Sequence, residues 1–462
     1  MIENLVVFGA SGDLAARYLL PAAARLAHAG RLPDRFRLAG AAQEHWDDES
    51  FRRFAADGLD RHASDVPAAA RESLMRALRY HQADVTDPDG VARALGGEQA
   101  GPVAAYLALP PALFPAAVGN LAEVGLTEGS RVALEKPFGE DLDSAVALNR
   151  LLEAIAGVAG EQAVFRVDHF LGMATVQNLL GIRLANRILE PVWNSRHVER
   201  VDIVWEETLA LEGRAGYYDG AGQLRDMVQN HLLQVLCLVA MEPPHSLDER
   251  DLRDRKLDVL RSVRPLTAED AERRSRRARY TAGRIGGRDV PAYAAEEGVD
   301  PDRRTVTFAE LTLQLDSWRW AGTPFRLRTG KAMRSSRMEV LVRFRPVPQL
   351  PFGDDVTPPG QNELRIGLDI SQRDDLELRV TGTEPGPGGG LVPLTLTAEL
   401  PPAELREYSR VLLDLLHGDS TLSIRGDEAE QAWRIVTPVL DAWAEDRVPL
   451  EEYPAGSSGP PG

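Results

Sequence analysis

Residues 5–26 read LVVFGASGDLAARYLLPAAARL. Leu5-Val6-Val7-Phe8 is a short apolar run of strand type, Gly9-Ala10-Ser11-Gly12 turns the chain, and Leu14, Tyr18, Leu19, Ala22 and Leu26 then recur at helical spacing. A strand that passes through glycines straight into a helix lets the backbone approach a pyrophosphate. The helix start adds free N–H groups and the positive end of its dipole. Gly9, Ser11, Gly12, Asp13 and Leu14 are therefore candidate contacts of a dinucleotide. A shortened glycine pattern also fits any tight strand-to-helix turn, and it is the position in the first βα unit that strengthens the reading.

Outward from this turn, apolar runs alternate with helical patterns: FRLAGAA (36–42), LRYHQADV (78–85), PVAAYLALP (102–110), RVALEKPF (131–138) and AVFRVDHF (163–170). Strands apolar on both faces and separated by helices predict a parallel sheet covered on both sides, the doubly wound α/β class, over residues 1–168. The second run ends in Gly40-Ala41-Ala42-Gln43-Glu44. In that architecture the end of the second strand faces the adenosine ribose, where an acid accepts from the 2′-OH of NAD and an arginine accommodates the 2′-phosphate of NADP. Glu44 favours NAD; the alternative is an ordinary carboxylate at a strand end.

After a helical stretch near 173–190 the texture changes. Segments 198–212, 306–317, 338–346, 363–371, 376–381 and 391–397 alternate polar and apolar residues with period two, as antiparallel strands with one wet face do. Residues 169–462 are expected to form a second, α+β domain. The charged stretch 245–280 reads as a solvated helix pair. GTEPGPGGG (382–390) reads as a surface loop, and the tail YPAGSSGPPG as a poorly ordered C-terminus.

Length and charge bound the function. At about 150 residues per domain, 462 residues allow two or three domains. Lys and Arg number 53 against 70 Asp and Glu, a net charge of −17, so neither nucleic acid nor an anionic membrane is an expected partner. The single cysteine, Cys237, cannot form an intramolecular disulfide and rules out thiolate metal clusters; no metal is expected. No signal peptide and no uninterrupted apolar run of about 18 residues is found, so the expected location is the cytoplasm.

FRVDHFLGM (165–173) sets Asp168 beside His169 in an apolar frame, and MVQNHLLQVL places His231 in an apolar helical run. Taken alone, such a histidine is more often a satisfied core residue than a catalyst. Together with GASGDL (9–14), EKPFG (135–139), RAGYYDGAGQLRDMVQNH (214–231), VWN (192–194), PFRLRTGK (324–331) and GDSTL (418–422), these stretches resemble the glucose-6-phosphate dehydrogenase family, in the same order and over nearly the whole chain. The resemblance implies a Rossmann-type N-terminal domain and an α+β C-terminal domain with a large antiparallel sheet used in dimerisation. A homodimer or homotetramer is expected. It also implies oxidation of a pyranose at C1 to a lactone, with hydride passed to a nicotinamide.

Roles follow by that resemblance. His231 matches the general base, a task imidazole performs near neutral pH, and Asp168 the carboxylate that orients it. Lys136, before a cis-Pro137 as in relatives, is expected to reach the sugar hydroxyls and the nicotinamide side. Glu207, Asp226 and Lys331 match residues that hydrogen-bond the sugar. On an ideal α-helix Asp226 and His231 lie about 140° apart, which would force them to reach one site from different directions.

The departures shape the functional expectation. The family usually reads Asp-His-Tyr-Leu-Gly-Lys, with His, Tyr and Lys on the sugar phosphate; here His169, Phe170 and Met173 occupy those places. A further family basic residue falls at Ser335-Ser336, flanked by Arg334 and Arg337, and the NADP-binding arginine after strand two corresponds to Gln43. A dianion without paired cations is costly to bury. The expectation is a sugar dehydrogenase that prefers NAD and acts on a pyranose lacking the usual 6-phosphate. Glucose 6-phosphate oxidation with NADP is the alternative, and a catalytically idle nucleotide-binding regulatory or assembly protein is the alternative of another class.

Overall fold

The computed structural model describes residues 1–96, 101–156, 160–213, 215–352, 359–369, 376–385 and 390–461. Arg214 of the RAGYYDG stretch, residues 370–371 of the expected 363–371 strand, residues 386–389 of the expected loop and the terminal Gly462 lie outside them. The chain forms two compact units, Met1–Ala174 with His245–Arg253 and Ala403–Glu430, and Thr175–Pro244 with Asp254–Pro402 and Gln431–Gly462. The first unit therefore continues six residues past the expected boundary at 168 and draws two segments from later in the chain.

In the first unit β1 (Asn4–Phe8), β2 (Arg37–Ala42), β3 (Leu78–Gln82), β4 (Val103–Leu107), β5 (Arg131–Glu135) and β6 (Val164–Val167) form a parallel sheet in the order β3-β2-β1-β4-β5-β6. β4 and β6 are buried at every position, as a sheet with helices on both faces requires. This order places the switch point between β1 and β4, where open α/β sheets receive ligands beyond the carboxyl ends of the strands. β3, β4, β5 and β6 stop short of their apolar runs, whose last residues lie beyond the strand ends. The core beneath is built on Leu5, Val7, Leu19, Leu20, Leu26 and Phe51, and the helix Glu407–His417 adds Tyr408, Leu412 and Leu415 to it.

The second unit is a nine-stranded sheet. Its strands are β7 (Val198–Glu206), β8 (Ser275–Thr281), β11 (Phe308–Gln314), β12 (Pro324–Gly330), β13 (Arg337–Phe344), β14 (Glu363–Gly367), β15 (Leu376–Thr383), β16 (Leu391–Ala398) and β17 (Leu450–Pro454). Their order is β16-β15-β14-β13-β7-β12-β11-β8-β17, beside a small hairpin of β9 (Gly283–Ile285) and β10 (Arg288–Val290). Most pairs are antiparallel, but β7 with β12 and β8 with β17 run parallel.

Two expectations are corrected here. The charged stretch 245–280 holds the helices Glu249–Ser262 and Ala268–Arg274, but its last residues form β8 instead of continuing a helix. Arg277 is buried there because its guanidinium donates to Val448 O at 2.8 Å and to Asp446 at 2.8 Å. The tail is not a loose end: Leu450–Pro454 pairs with β8, Tyr453 is fully buried, and Gly456 N donates to Ala332 O at 2.8 Å. Its glycines and prolines disguised a strand whose partner lies far back in sequence.

Candidate active site

The glycine turn after β1 leads from strand into helix, the local geometry its residues predict. Gly9 has φ 80°, and a Cβ there would lie 2.2 Å from Ala108 O on the neighbouring β4 exit. Only glycine fits. A Cβ on Gly12 would approach Gly9 O at 3.2 Å, and Gly12 N closes the turn on Gly9 O at 3.0 Å. The chain is helical from Asp13, widens to a π-turn over Ala15–Leu19 and continues as the α-helix Leu20–His28. Gly12 and Asp13 are exposed at the helix start, so the backbone presents an open cradle of the kind that holds a pyrophosphate. Arg17 pairs with Asp13 at 3.2 Å.

Beyond β2, Tyr80 donates its hydroxyl to Glu44 O at 2.8 Å and to Ala42 O at 3.2 Å, which pins the turn carrying Gln43 and Glu44. Both side chains are exposed. Gln43 Nε2 donates to Asp84 Oδ2 at 3.0 Å, a partner that sequence reasoning missed.

Lys136 and Asp168 leave neighbouring strands at the same edge, since Glu135 is the register partner of Val167. The Lys136–Pro137 peptide is cis, as expected. Asp168 is 2% exposed, and its Oδ1 accepts from Phe170 N at 3.0 Å, capping the short turn His169–Gly172. The His169 ring stacks on Tyr408, with centroids 5.4 Å apart and planes at 17°. Glu135 is a second residue the sequence reading passed over. Tyr106 donates to its Oε1 at 2.5 Å, and burial raises its carboxyl to about 7 against the opposing pull of the Tyr106 hydroxyl, Lys136 and the Tyr408 hydroxyl. Glu135 stands inside the quoted EKPFG, so its neighbourhood was visible and its titration was not.

In the second unit, Gly222 turns the chain with φ 66° between the helical residues before it and Leu224–Leu232, which winds as a π-helix. This overturns the expected 140° separation. A π-helix bonds i to i+5, so Asp226 and His231 stand one turn apart along a shared face. His231 is 1% exposed. The parallel pairing of β7 with β12 aligns Glu206 with Gly330 and sets the next two residues side by side. Lys331 Nζ meets Glu207 Oε2 at 2.8 Å and lies 5.2 Å from the centre of the Tyr218 ring. Asp226 acts on the same ring, its charge helping burial to push the Tyr218 hydroxyl well above its usual range. Glu207, Asp226 and Lys331 thus gather around Tyr218. The tyrosine was present in the quoted RAGYYDGAGQLRDMVQNH without a role; its hydroxyl bonds Gln223 at 2.5 Å, and Gln223 in turn bonds Thr329 at 2.6 Å.

Residues 6–178 match the family description "Glucose-6-phosphate dehydrogenase, NAD binding domain", and residues 180–462 match "Glucose-6-phosphate dehydrogenase, C-terminal domain". The chain belongs to the glucose-6-phosphate dehydrogenase family. It is 42% identical to glucose-6-phosphate 1-dehydrogenase of Mycolicibacterium smegmatis over 99% of this chain and 94% of that protein. A solved glucose-6-phosphate dehydrogenase in complex with its substrate glucose-6-phosphate superposes with TM-score 0.86 at 30% identity, covering 100% of this chain and 96% of that one. The glucose-6-phosphate 1-dehydrogenase of Mycobacterium avium gives TM-score 0.85 at 34% identity, covering 99% of this chain and 95% of that one. The chain is accordingly an oxidoreductase, an NAD(P)-dependent sugar dehydrogenase acting on CH–OH donors.

Within the glucose-6-phosphate dehydrogenase family this chain keeps the Asp-His pair and loses the next two polar positions. Phe170 is buried, its ring set edge-on to His169, and Met173 is half-buried. Of the two arginines that flank Ser335-Ser336, Arg337 is already engaged, with Glu339 at 2.7 Å and Glu206 at 3.3 Å. Arg334 is exposed, and among the described residues no carboxylate pairs with it. No described helix is long and apolar enough to cross a membrane.

Proposed function

We propose that the protein oxidises C1 of glucose 6-phosphate to the 6-phospho-δ-lactone and passes the hydride to NAD in preference to NADP. The observation that carries the reaction is likeness over the whole chain to an enzyme solved with glucose-6-phosphate, together with retention of the family's Asp-His, EKP and Gln-Asn-His residues. Residues 1–168 are taken as the nucleotide domain and 169–462 as the sugar and assembly domain of a cytoplasmic homodimer or homotetramer.

His231 takes the proton of the C1 hydroxyl as hydride departs, and Asp168 stabilises the imidazolium so formed. A bound nicotinamide would supply the hydride acceptor, and the residues placed to hold its dinucleotide are those of the turn after β1. Gly9, Ser11, Gly12, Asp13 and Leu14 hold the pyrophosphate, and Lys136 orients the reacting end of the sugar. Glu207, Asp226 and Lys331 read ring hydroxyls: a carboxylate accepts from them, and an ammonium donates to them. The phosphate falls to His169 and Arg334. Arg334 is favoured over Arg337 because a guanidinium already bound to two carboxylates has little charge left to offer.

The NAD preference rests on Glu44 and on Gln43 in place of a family arginine. A second reading, oxidation of a pyranose without the 6-phosphate, rests on Phe170 and Met173, which offer neither a hydroxyl nor a cation. The deciding experiment is a panel of glucose 6-phosphate and glucose with each cofactor, followed by absorbance of the reduced nicotinamide. Efficient glucose 6-phosphate turnover at low concentration supports the first reading, and turnover confined to glucose the second.

A further inference from the structure

The ends of β2 and β3 lie side by side: Ala42 is the register partner of Gln82, and Ala83 N donates to Ala42 O at 2.8 Å. Asp84, two residues beyond β3, therefore stands beside the turn that carries Gln43 and Glu44. Its carboxylate is fixed on both oxygens. Oδ1 accepts from Thr86 N at 2.8 Å and Thr86 Oγ1 at 2.7 Å, and Oδ2 accepts from Gln43 Nε2 at 3.0 Å. The bonds from Thr86 hold the acid below the usual carboxylate range, so it is charged at neutral pH. Position 43 is where the family's NADP-binding arginine stands.

We infer that Asp84 is a specificity-determining residue for the cofactor. Its fixed negative charge at the ribose end of the site disfavours a 2′-phosphate and claims whatever donor occupies position 43. The inference rests on the NAD reading above and carries it further. Glu44 alone would oppose a phosphate by its own charge. Asp84 in addition makes the exchange of Gln43 for arginine ineffective, because the guanidinium would pair with the carboxylate that Gln43 now bonds. A guanidinium spent on Asp84 is lost to the phosphate. Asn at position 84 keeps an oxygen for Thr86, and its amide N–H₂ donates to Gln43 once the exposed Gln43 amide turns over to present Oε1, so the turn retains its bonds while the charge is gone.

The test measures binding of adenosine 2′,5′-bisphosphate and of 5′-AMP by calorimetry, with catalytic efficiency for NADP and NAD as a parallel readout. Asp84→Asn should raise the affinity ratio of bisphosphate over AMP about three- to tenfold. Gln43→Arg alone should change the ratio less than about threefold, and Gln43→Arg with Asp84→Asn should exceed Gln43→Arg by roughly tenfold or more. Either of two results overturns the inference: an unchanged ratio in Asp84→Asn, or a Gln43→Arg variant that equals the double variant. The conservative single change decides the matter even where the double variant does not fold. Failure of the NAD reading looks different. There the parent itself prefers the bisphosphate and NADP, while the contrast between the parent and Asp84→Asn still reports whether Asp84 acts.

Discussion

His231, proposed above as the base, and Glu135 are ordinary side chains in deeply buried positions. A histidine 1% exposed beside an aspartate one π-turn away is a costly arrangement for a core and an apt one for a base that must gain and lose a proton. His231→Asn should lower kcat by on the order of 10²–10⁴ while nucleotide affinity stays at the parent value; parent-like turnover at saturating substrate would assign the base elsewhere. Glu135 makes a different prediction, on stability. Its carboxyl is raised from 4.5 to about 7, so the folded chain holds a proton that the unfolded chain has released. That contribution is fully present below about pH 4.5 and is lost as pH rises through 7. Glu135→Gln removes the dependence: thermal unfolding at pH 5 and pH 8 should show the variant gaining relative to the parent at the higher pH, by up to roughly 2–3 kcal/mol. An equal difference at both pH values would mean that the carboxyl does not titrate in this window.

At the scale of elements, β17 braces the loop that carries Lys331, proposed above to bind the sugar. β17 pairs with β8, and Tyr453 on it donates its hydroxyl to Lys331 O at 2.7 Å while lying 3.0 Å from Thr307 Oγ1. Two more bonds extend the attachment: Gly456 N donates to Ala332 O and Arg334 N donates to Ser457 O, each at 2.8 Å. The loop that carries Lys331 and Arg334 is thus held by residues more than a hundred positions away. Tyr453→Phe leaves the ring and removes the hydroxyl, so a loss of about 1–2 kcal/mol in urea unfolding is expected for the buried bonds given up. A rise in the sugar KM larger than any fall in kcat should accompany it, since in the proposed assignment Lys331 binds the sugar and does not take the proton. An unchanged KM would separate the tail from the site.

For the molecule as a whole, a net charge of −17 stands against the anionic substrate proposed above. Long-range steering works against glucose 6-phosphate, so any affinity for it depends on local cations. Met173→Lys with Phe170→Tyr adds a cation and a hydroxyl where the family has them. The pair should raise the efficiency ratio of glucose 6-phosphate to glucose by about tenfold, the worth of one charge-assisted contact. A ratio that does not move, measured with both sugars at sub-saturating concentration, would mean that the phosphate is held by other residues.

Much of this was legible in the chain itself. Apolar runs alternating with helical patterns marked all six strands of the first sheet, and GASGDL marked the turn between β1 and the first helix, because a parallel core buried on both faces leaves little freedom in which residues are apolar. Family motifs pointed to Lys136, Asp168 and His231. Other features existed only in three dimensions. β8 was hidden by its arginines, of which Arg277 is buried where Asp446 and Val448 O receive it, and β17 by a tail rich in proline and glycine. The shared face of Asp226 and His231 comes from i to i+5 bonding, which spacing read on an α-helix denied. Glu135 with Tyr106, Lys331 with Glu207 and Gln43 with Asp84 pair residues 29, 124 and 41 positions apart. Local sequence determines which way a side chain faces along its own element, whereas the charge it meets there is set by whichever strand the fold brings alongside.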